Sequence, residues 1–339
     1  MKRHLNTLYI TTQGAWLNKD GETIAVNVDG QARHRIPMHL LQGLVCFGNV
    51  SISPFLLGAC VERGIGISYL TRNGRFLARV SGPVTGNVLL RRAQYRMADD
   101  ETRRTALAKT FVLGKLVNTR TALRRASRDN PERAANLQDA ANRINGLLRR
   151  ARTAGTLDEA RGIEGEAARI YFSVFNELLL ADGFTFSRRT RRPPLDAVNA
   201  LLSFVYTLLV HDVRSALETV GLDPQVGFLH HDRPGRPSLA LDVMEELRPV
   251  LADRLVLSLI NRRQIRPNGF EQRESGAVWM DDETRKTVLT AWQERKQQEL
   301  LHPFLDDRCT VGAVPHIQAL LLARHLRGDL DGYPPFVWK

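Results

Sequence analysis

Three carboxylates and one histidine, divided between two stretches of the sequence, could together hold a metal ion. The first stretch is a predicted helix that begins near Asp158 and carries Glu164 and Glu166. Residues three or four apart share a face of a helix, so Glu164 falls on the apolar stripe of Tyr171 and Phe175. Glu166 falls on the solvated side. Because a carboxylate on a buried face is costly unless it is neutralised, Glu164 needs a partner, either a basic side chain or a metal ion. An arginine is the ordinary interpretation of such a partner.

The second stretch contains His230 and a predicted helix that begins at Ser238. Asp242 and Glu245 are three residues apart on this helix and are therefore neighbours on the flank of its apolar face. Together with Glu164 these residues offer carboxylate oxygens and one imidazole, a donor set that suits Mg²⁺ or Mn²⁺ better than zinc. Such ions polarise a phosphoryl oxygen and activate an attacking hydroxyl. The alternative is an acidic surface helix and a histidine packed in the core, which the spacing alone does not exclude.

Two adjacent histidines compete for the ligand position. If residues 226–231 are extended, the side chains of His230 and His231 point to opposite sides of the chain. Only one of them can then face a metal ion. In an extended chain, Phe228 would lie on the same side as His230, and Leu229 on the same side as His231. Burial therefore does not choose between them.

The charge of the chain indicates a polyanionic partner. The 339 residues include 48 lysines and arginines against 36 acidic residues, which gives a net charge of +12. An excess of this size favours nucleic acid. Most arginine clusters are typical of solvated faces, but one lies in a predicted loop that ends at two prolines, where a rigid basic loop could hold phosphates. This cluster consists of Arg188, Arg189, Arg191 and Arg192.

The elements that must position these residues begin with strands. Up to residue 80, short apolar runs alternate with turn residues, a pattern typical of strands. The predicted strands are 5–11, 23–28, 32–36, 44–47, 65–70 and 76–80. One predicted helix interrupts them, with Ser53 as its cap, Pro54 in its first turn and Gly64 at its end.

From about residue 88 the spacing of the apolar residues becomes helical. The predicted helices are 88–127, 132–153, 158–181, 195–220, 238–262, 283–301 and 315–327. Residues 81–86 have the composition of a linker. The sequence therefore predicts an α+β protein with a small β-rich N-terminal domain at 1–86. A larger all-α domain at 87–339 follows and carries the site residues.

The cysteines and the N-terminus argue against several classes of protein. Cys46, Cys60 and Cys309 are scattered without CxxC spacing, so neither a zinc site nor a disulfide framework is predicted. The N-terminal residues lack the apolar core of a signal peptide, and no apolar run is expected to span a membrane. These features predict a cytoplasmic protein without a membrane partner.

Several motifs resemble those of the CRISPR-associated adaptation integrases, the "Cas one" family, the first of the two universal adaptation proteins. They are Arg161-Gly-Ile-Glu164-Gly, Gly227-Phe-Leu-His230, Ser238-Leu-Ala-Leu-Asp242-Val-Met-Glu245-Glu-Leu-Arg-Pro249, and Arg191-Arg-Pro-Pro-Leu-Asp-Ala-Val-Asn199 with Tyr206. The opening strands and the closing Tyr333-Pro-Pro-Phe-Val-Trp-Lys339 are similar to the subtype I-C branch. The resemblance covers nearly the whole chain, and the motifs occur in the family's order.

The resemblance implies a β-rich N-terminal domain, a helical catalytic domain and Mg²⁺- or Mn²⁺-dependent DNA cleavage and joining. The family's metal ligands fall on Glu164, His230 and Glu245, and Asp242 matches a nearby acidic position that assists. Some members have aspartate at the position of Glu245, whose side chain is one methylene longer. Tyr206 matches an aromatic residue near the family's catalytic centre, and we expect either a DNA contact or core packing there.

The resemblance also implies a reaction and a set of partners. The 3′-hydroxyl of a captured DNA fragment, the spacer precursor, attacks a phosphodiester of the CRISPR repeat, so that a new spacer is inserted. The implied partners are a second copy of the chain in a homodimer, the small second adaptation protein and, in this subtype, an end-processing nuclease.

Two other classes of protein explain part of the sequence. A basic DNA-binding protein without enzymatic activity would explain the net charge, with Glu164 paired to an arginine. A metal-dependent hydrolase of small phosphate esters would explain the candidate ligands, but neither the net charge nor the arginine clusters. Mn²⁺-dependent nicking of DNA by the purified chain distinguishes the enzyme from the binding protein.

Overall fold

The computed structural model describes residues 6–80, 82 and 88–338, and it begins with two four-stranded sheets. The first sheet has the order β1 (Asn6–Ile10), β5 (Leu41–Phe47), β7 (Gly66–Leu70) and β8 (Phe76–Val80). The strands β1, β5 and β7 are parallel, and β8 is antiparallel to β7. The second sheet has the order β4 (Gln31–Pro37), β3 (Thr23–Val28), β2 (Trp16–Asp20) and β6 (Ser51–Ile52).

The predicted N-terminal helix is present as α1 (Pro54–Glu62). The Ser53 hydroxyl accepts a hydrogen bond from the Leu56 amide at 3.3 Å, and Pro54 opens the first turn. Gly64 follows the helix with φ of 69°, a left-handed conformation that favours glycine. Apolar side chains of α1 and of both sheets form one core, which includes Leu17, Ile24, Leu44, Leu56 and Ile67.

The rest of the described chain is mostly helical, which confirms the predicted fold class. The helices are α2 (Val88–Asp99), α3 (Glu101–Asp129), α4 (Ala134–Thr153), α5 (Leu157–Ser173), α6 (Ala197–Val220), α7 (Ser238–Leu247), α8 (Arg254–Asn261), α9 (Asp282–Gln297) and α10 (Val314–Arg327). A π-helical turn, Arg248–Asp253, connects α7 directly to α8. Two short antiparallel pairs lie among the helices, β9 (Phe270–Gln272) with β10 (Val278–Met280) and β11 (Glu299–Leu301) with β12 (Arg308–Thr310).

Several predicted bounds were wrong for identifiable reasons. The predicted helix 88–127 is two helices, because the Asp100 side chain accepts a hydrogen bond from the Arg103 amide at 3.0 Å and caps α3. The predicted helix 283–301 ends at Gln297, because the following residues pair as β11. The helical region is therefore not strictly all-α. Strand β2 was missed because Leu17 is its only buried residue and no apolar run marks it.

Side chains connect the β-rich region to the helices. The predicted boundary between residues 86 and 87 lies outside the described residues, as does the predicted linker apart from Gly82. The rings of Phe47 in β5 and Phe204 in α6 lie 5.8 Å apart. Lys296 of α9 pairs with Asp212 of α6 at 3.0 Å, and its ammonium donates to the Thr7 hydroxyl of β1 at 3.2 Å.

Helix α6 corrects the prediction that no apolar run is long enough to span a membrane. Among the described residues it is the one helix that is long and apolar enough, with a mean hydropathy of 1.3 over its most apolar window. In the structure 56% of that window is buried. Its side chains belong to the largest hydrophobic cluster, so its composition is explained by packing inside the protein.

Removing one partner of the Lys296–Asp212 pair should destabilise the protein strongly. The side chains are only 5% and 13% exposed, so Lys296→Met leaves an uncompensated buried carboxylate at a cost of about 3–5 kcal/mol. The control is Arg327→Met, because the pair of Arg327 with Asp329 is 42% and 45% exposed and should contribute less than about 1 kcal/mol. Urea denaturation followed by circular dichroism measures both changes, and equal losses would contradict this interpretation.

Candidate metal centre

Helix α5 presents Glu164 at the border of its buried face. The helix begins with a capping box formed by Thr156 and Glu159. The Glu164 side chain is 25% exposed. Glu166 points outward and pairs with Arg150 at 3.0 Å. The Glu166 side chain is 38% exposed, so Glu164 is the more buried of the two partly exposed glutamates, in the direction that the helical spacing predicts.

The partner of Glu164 is Lys115 of α3 and not an arginine. The Lys115 ammonium pairs with Glu164 Oε1 and lies 2.7 Å from Glu245 Oε2. Burial opposes the charged form, but Glu245 and then Glu164 raise the pKa of Lys115 above its ordinary value. Sequence reasoning missed this residue. The available signal was a single charge inside the apolar run 111–117, where a lysine must have a partner.

Helix α7 buries Glu245 almost completely, with its side chain 2% exposed. Arg248 Nη1 lies 2.8 Å from Glu245 Oε1, and His230 Nε2 lies 3.8 Å from the same oxygen. Burial alone would raise the pKa of this carboxyl, but Arg248, Lys115 and His230 together lower the pKa of Glu245 to about 2. Glu245 is thus a buried, ionised carboxylate. The alternative of an acidic surface helix is wrong.

Asp242 is also fully buried, and it orients His230. Its carboxylate accepts hydrogen bonds from the backbone amides of Phe228, Leu229 and His230, at 2.6, 2.9 and 3.0 Å. Its Oδ1 also lies 2.6 Å from His230 Nδ1. In the tautomer in which Nδ1–H donates this hydrogen bond to Asp242, Nε2 is left as the electron-pair donor of the imidazole. That nitrogen is the one on the side of Glu245.

The stretch before His230 is irregular rather than extended. Phe228 and Leu229 are both buried, so the predicted alternation does not occur, and His231 is exposed. A Cβ atom on Gly227 would lie 2.8 Å from Asp242 Oδ2, which is closer than real Cβ atoms approach. Only glycine fits here, which gives a physical reason for the Gly-Phe-Leu-His motif.

Two of the predicted metal ligands, Glu164 and Glu245, meet at the Lys115 ammonium, and the third, His230, lies beside Glu245. Glu245 Oε2 is buried and has no hydrogen-bond partner in the described structure, although it is ion-paired with Lys115. Two carboxylates and an imidazole Nε2 are donors that fit Mg²⁺ or Mn²⁺. Among the described residues, however, no three His, Cys, Asp or Glu side chains are arranged so that they could hold a metal ion. A divalent ion bound by Glu164, His230 and Glu245 would have to displace the Lys115 ammonium from the two carboxylates.

The predicted phosphate-binding loop precedes α6, and its four arginines differ. Arg188, Arg191 and Arg192 are exposed. Arg189 turns inward and donates to the side chains of Asn199, at 2.7 Å, and Ser203, at 3.1 Å. Burial lowers the pKa of Arg189. Its guanidinium thus serves the structure of the loop, which differs from the phosphate contact predicted for it.

Tyr206 packs against Arg248, the arginine that pairs with Glu245. Its hydroxyl donates to Asp253 Oδ1 at 2.6 Å, and burial raises the pKa of Asp253 to about 6. The guanidiniums of Arg189 and Arg248 lie 5.4 and 5.1 Å from the centre of its ring, within range of cation–π attraction. These contacts agree with the packing role considered for Tyr206. Its predicted DNA contact stays a prediction.

The sequence and the fold are similar to those of one protein family. A family model described as CRISPR associated protein Cas1 matches residues 8–294. The CRISPR-associated endonuclease Cas1 1 of Chlorobaculum tepidum is 57% identical over 343 residues, which cover 100% of both chains. The solved structure of a CAS1 protein from Thermotoga maritima has a TM-score of 0.83 at 25% identity and covers 96% of this chain and 97% of its own. A chain of a solved Cas6-RT-Cas1–Cas2 complex has a TM-score of 0.84 at 25% identity, and the match covers 99% of this chain and 36% of that one.

The two histidines should differ sharply in metal binding. His230→Ala removes the imidazole that faces Glu245, and we expect it to abolish measurable Mn²⁺ binding at this site. His231→Ala removes an exposed imidazole and should leave the Mn²⁺ affinity within a few fold of that of the unmodified protein. Isothermal titration calorimetry measures both affinities. The reverse pattern would place the metal elsewhere.

Proposed function

The chain belongs to the CRISPR-associated Cas1 family, and we propose that Glu164, His230 and Glu245 bind the Mg²⁺ or Mn²⁺ with which it acts on DNA. It is a DNA endonuclease and integrase of CRISPR adaptation. The observation that carries the metal assignment is the buried Glu245, whose charge is held by Lys115, Arg248 and His230. A purely structural acid would not need an imidazole fixed by Asp242 beside it.

In the proposed reaction, the 3′-hydroxyl of a captured DNA fragment attacks a phosphodiester of the CRISPR repeat. The attacking hydroxyl gives up its proton as the new phosphodiester forms, and the 3′-oxygen of the repeat strand leaves and takes up a proton. A divalent ion held by Glu164, His230 and Glu245 would supply positive charge for the phosphoryl oxygen and the attacking hydroxyl.

Each residue of the proposed centre has its own role. Glu164 and Glu245 donate carboxylate oxygens, and His230 donates Nε2. Asp242 holds the imidazole through Nδ1. Arg248 keeps Glu245 ionised through its ion pair at 2.8 Å.

The net charge and the exposed arginines support DNA as the substrate. Arg188, Arg191 and Arg192 are exposed in the loop before α6. The fourth arginine of this loop, Arg189, contacts the Tyr206 ring, and Arg248 beside Glu245 contacts the same ring. In our proposal they contact phosphates of the DNA, while Arg189 holds the loop. Tyr206 contributes by packing against Arg248.

The family also suggests the protein partners. The similarity to a chain in a Cas1–Cas2 complex supports the small second adaptation protein as a partner. A homodimer through the N-terminal domain, residues 1–86, is supported by exposed apolar side chains there, with Phe55 84% exposed. The end-processing nuclease, the subtype I-C branch and the cytoplasmic location rest on the sequence motifs and composition.

One observation favours the alternative of a DNA-binding protein without enzymatic activity. Lys115 pairs with both Glu164 and Glu245, which is how a site without a metal would satisfy its carboxylates. The partly buried hydrogen bond between Asp242 and His230 weighs against this alternative, because a histidine beside paired carboxylates has no structural need of a fixed tautomer.

Plasmid nicking in the presence of Mn²⁺ tests the function. The unmodified chain should nick supercoiled plasmid with Mn²⁺ and not with EDTA, and Glu164→Ala should reduce nicking to background. Glu166→Ala is the matched control, because Glu166 lies on the same helix and pairs with Arg150 at the surface. Absence of nicking by the unmodified chain would favour the binding-protein alternative, and nicking by Glu164→Ala would remove Glu164 from the centre.

The salt dependence of DNA binding tests the loop. Replacing Arg188, Arg191 and Arg192 with alanine should reduce the slope of log K against log salt by about 0.9 for each lost phosphate contact on duplex DNA. The control removes three arginines that pair with surface carboxylates, Arg125, Arg143 and Arg150. Fluorescence anisotropy measures the binding constants. Because both variants lose three positive charges, a difference between their slopes reports lost phosphate contacts and not the change in net charge. An equal slope in the two variants would contradict the loop assignment.

A further inference from the structure

A strap formed by residues 333–338 docks directly behind the metal centre. Glu246, the residue after Glu245, is fully buried and faces this strap. Glu246 Oε1 accepts a hydrogen bond from the Tyr333 hydroxyl at 2.6 Å. Glu246 Oε2 accepts a second from the Phe336 amide at 3.1 Å. The strap therefore supplies partners for a buried carboxyl group that belongs to the helix of Glu245.

Asn118 binds the same strap from α3. Its Nδ2 donates to the carbonyl oxygens of Glu246, at 2.7 Å, and Phe336, at 2.8 Å. Its Oδ1 accepts from the Trp338 amide at 2.7 Å. Asn118 lies three residues after Lys115, about one helical turn away. One fully buried amide thus joins α3, α7 and the strap.

The packing leaves no space between the strap and α3. A Cβ atom on Gly114 would lie 3.0 Å from Pro335 Cβ, so the strap rests on the helix backbone. The far end of the strap is also held, because the guanidiniums of Arg254 and Arg295 lie 5.1 and 5.7 Å from the centre of the Trp338 ring. The strap is thus fixed at both ends.

We propose that this strap is a positioning element of the metal centre. It binds the residue next to Glu245 on α7 and the residue one turn from Lys115 on α3. It thereby sets the distance between the two helices where the carboxylates and the ammonium meet. Loss of strap contacts should lower the affinity for the divalent ion. The inference rests on the proposed function, because it presupposes an ion bound by Glu164, His230 and Glu245.

The first experiment removes one hydroxyl group. Tyr333→Phe keeps the ring, which packs 5.2 Å from Phe111, and deletes one of two side-chain donors to Glu246 Oε1. The other donor, Gln318 Nε2 at 2.8 Å, stays in place. Groups that hydrogen-bond to metal ligands typically change metal affinity 10–100-fold. Because Tyr333 bonds to the neighbour of a proposed ligand, we expect an effect at the lower end, about tenfold weaker Mn²⁺ binding by calorimetry on the full chain. Tyr95→Phe is the matched control, because the Tyr95 hydroxyl donates to Asp223 on an exposed face at 2.8 Å. Its Mn²⁺ affinity should not change.

A second variant removes the hydrogen bonds between α3 and the strap. Asn118→Ala deletes the contacts to Phe336 and Trp338 and should weaken Mn²⁺ binding in the same direction. Thermal melting without metal is recorded for each variant, since a strap that only stabilises the fold would lower the melting temperature and leave the Mn²⁺ affinity unchanged. That outcome in both variants would overturn the proposal.

The coupling must also act in reverse, because linkage between two sites is reciprocal. Saturating Mn²⁺ should slow amide hydrogen exchange at Phe336 and Trp338 in the unmodified chain, and it should not do so in His230→Ala. No change in the unmodified chain would contradict the coupling. If instead His230→Ala binds Mn²⁺ as well as the unmodified chain, the assignment of the metal centre itself fails, and the two failures are thereby distinguished.

Discussion

The burial of Glu245 is the constraint on which the rest of the structure depends. A carboxylate that is 2% exposed must be compensated where it stands, and the compensation comes from Lys115 and Arg248. Those contacts bring α3 against α7, and Glu164 of α5 joins the same ammonium. The four side chains carry no net formal charge. With a divalent ion in the place of Lys115 they would carry one positive charge, which a single phosphodiester neutralises.

The centre has its rigidity from backbone groups as much as from side chains. Asp242 collects three consecutive amides and the imidazole of His230, so the loop before His230 has one arrangement in which all of these donors are satisfied. The close approach requires a residue without a side chain at Gly227. Asp242 therefore fixes both the imidazole of His230 and the backbone conformation of the loop that carries it.

The sequence predicted residues that the structure brings near one another, but not the residues that surround them. Glu164 and Glu245 meet at one ammonium, His230 and Asp242 lie beside Glu245 on the same helix or in contact with it, and the helical spacing placed Glu164 at a buried border. Lys115 was missed because it lies 49 residues before Glu164 in the sequence. Periodicity carries no information about which distant residue pairs with a buried charge. The inward turn of Arg189 could not be read from a run of arginines, because it depends on Asn199 and Ser203 one and two turns into the next helix. The fold class followed from the change of period near residue 88. The short strands did not, because pairing between distant segments decides them.

The π-helical turn between α7 and α8 has a consequence for how the length of this chain can vary. Hydrogen bonds in a π turn close over five residues instead of four, and Arg248 and Asp253 stand five apart at its two ends. In a regular α-helix two such residues would point about 140° away from each other. Here both reach Tyr206, one at the ring and the other at the hydroxyl. Deletion of a single residue from this turn would leave the two residues four apart, and in a regular α-helix such residues lie about 40° from each other on one face. The π turn therefore accommodates one additional residue in this helix while both contacts with Tyr206 are kept.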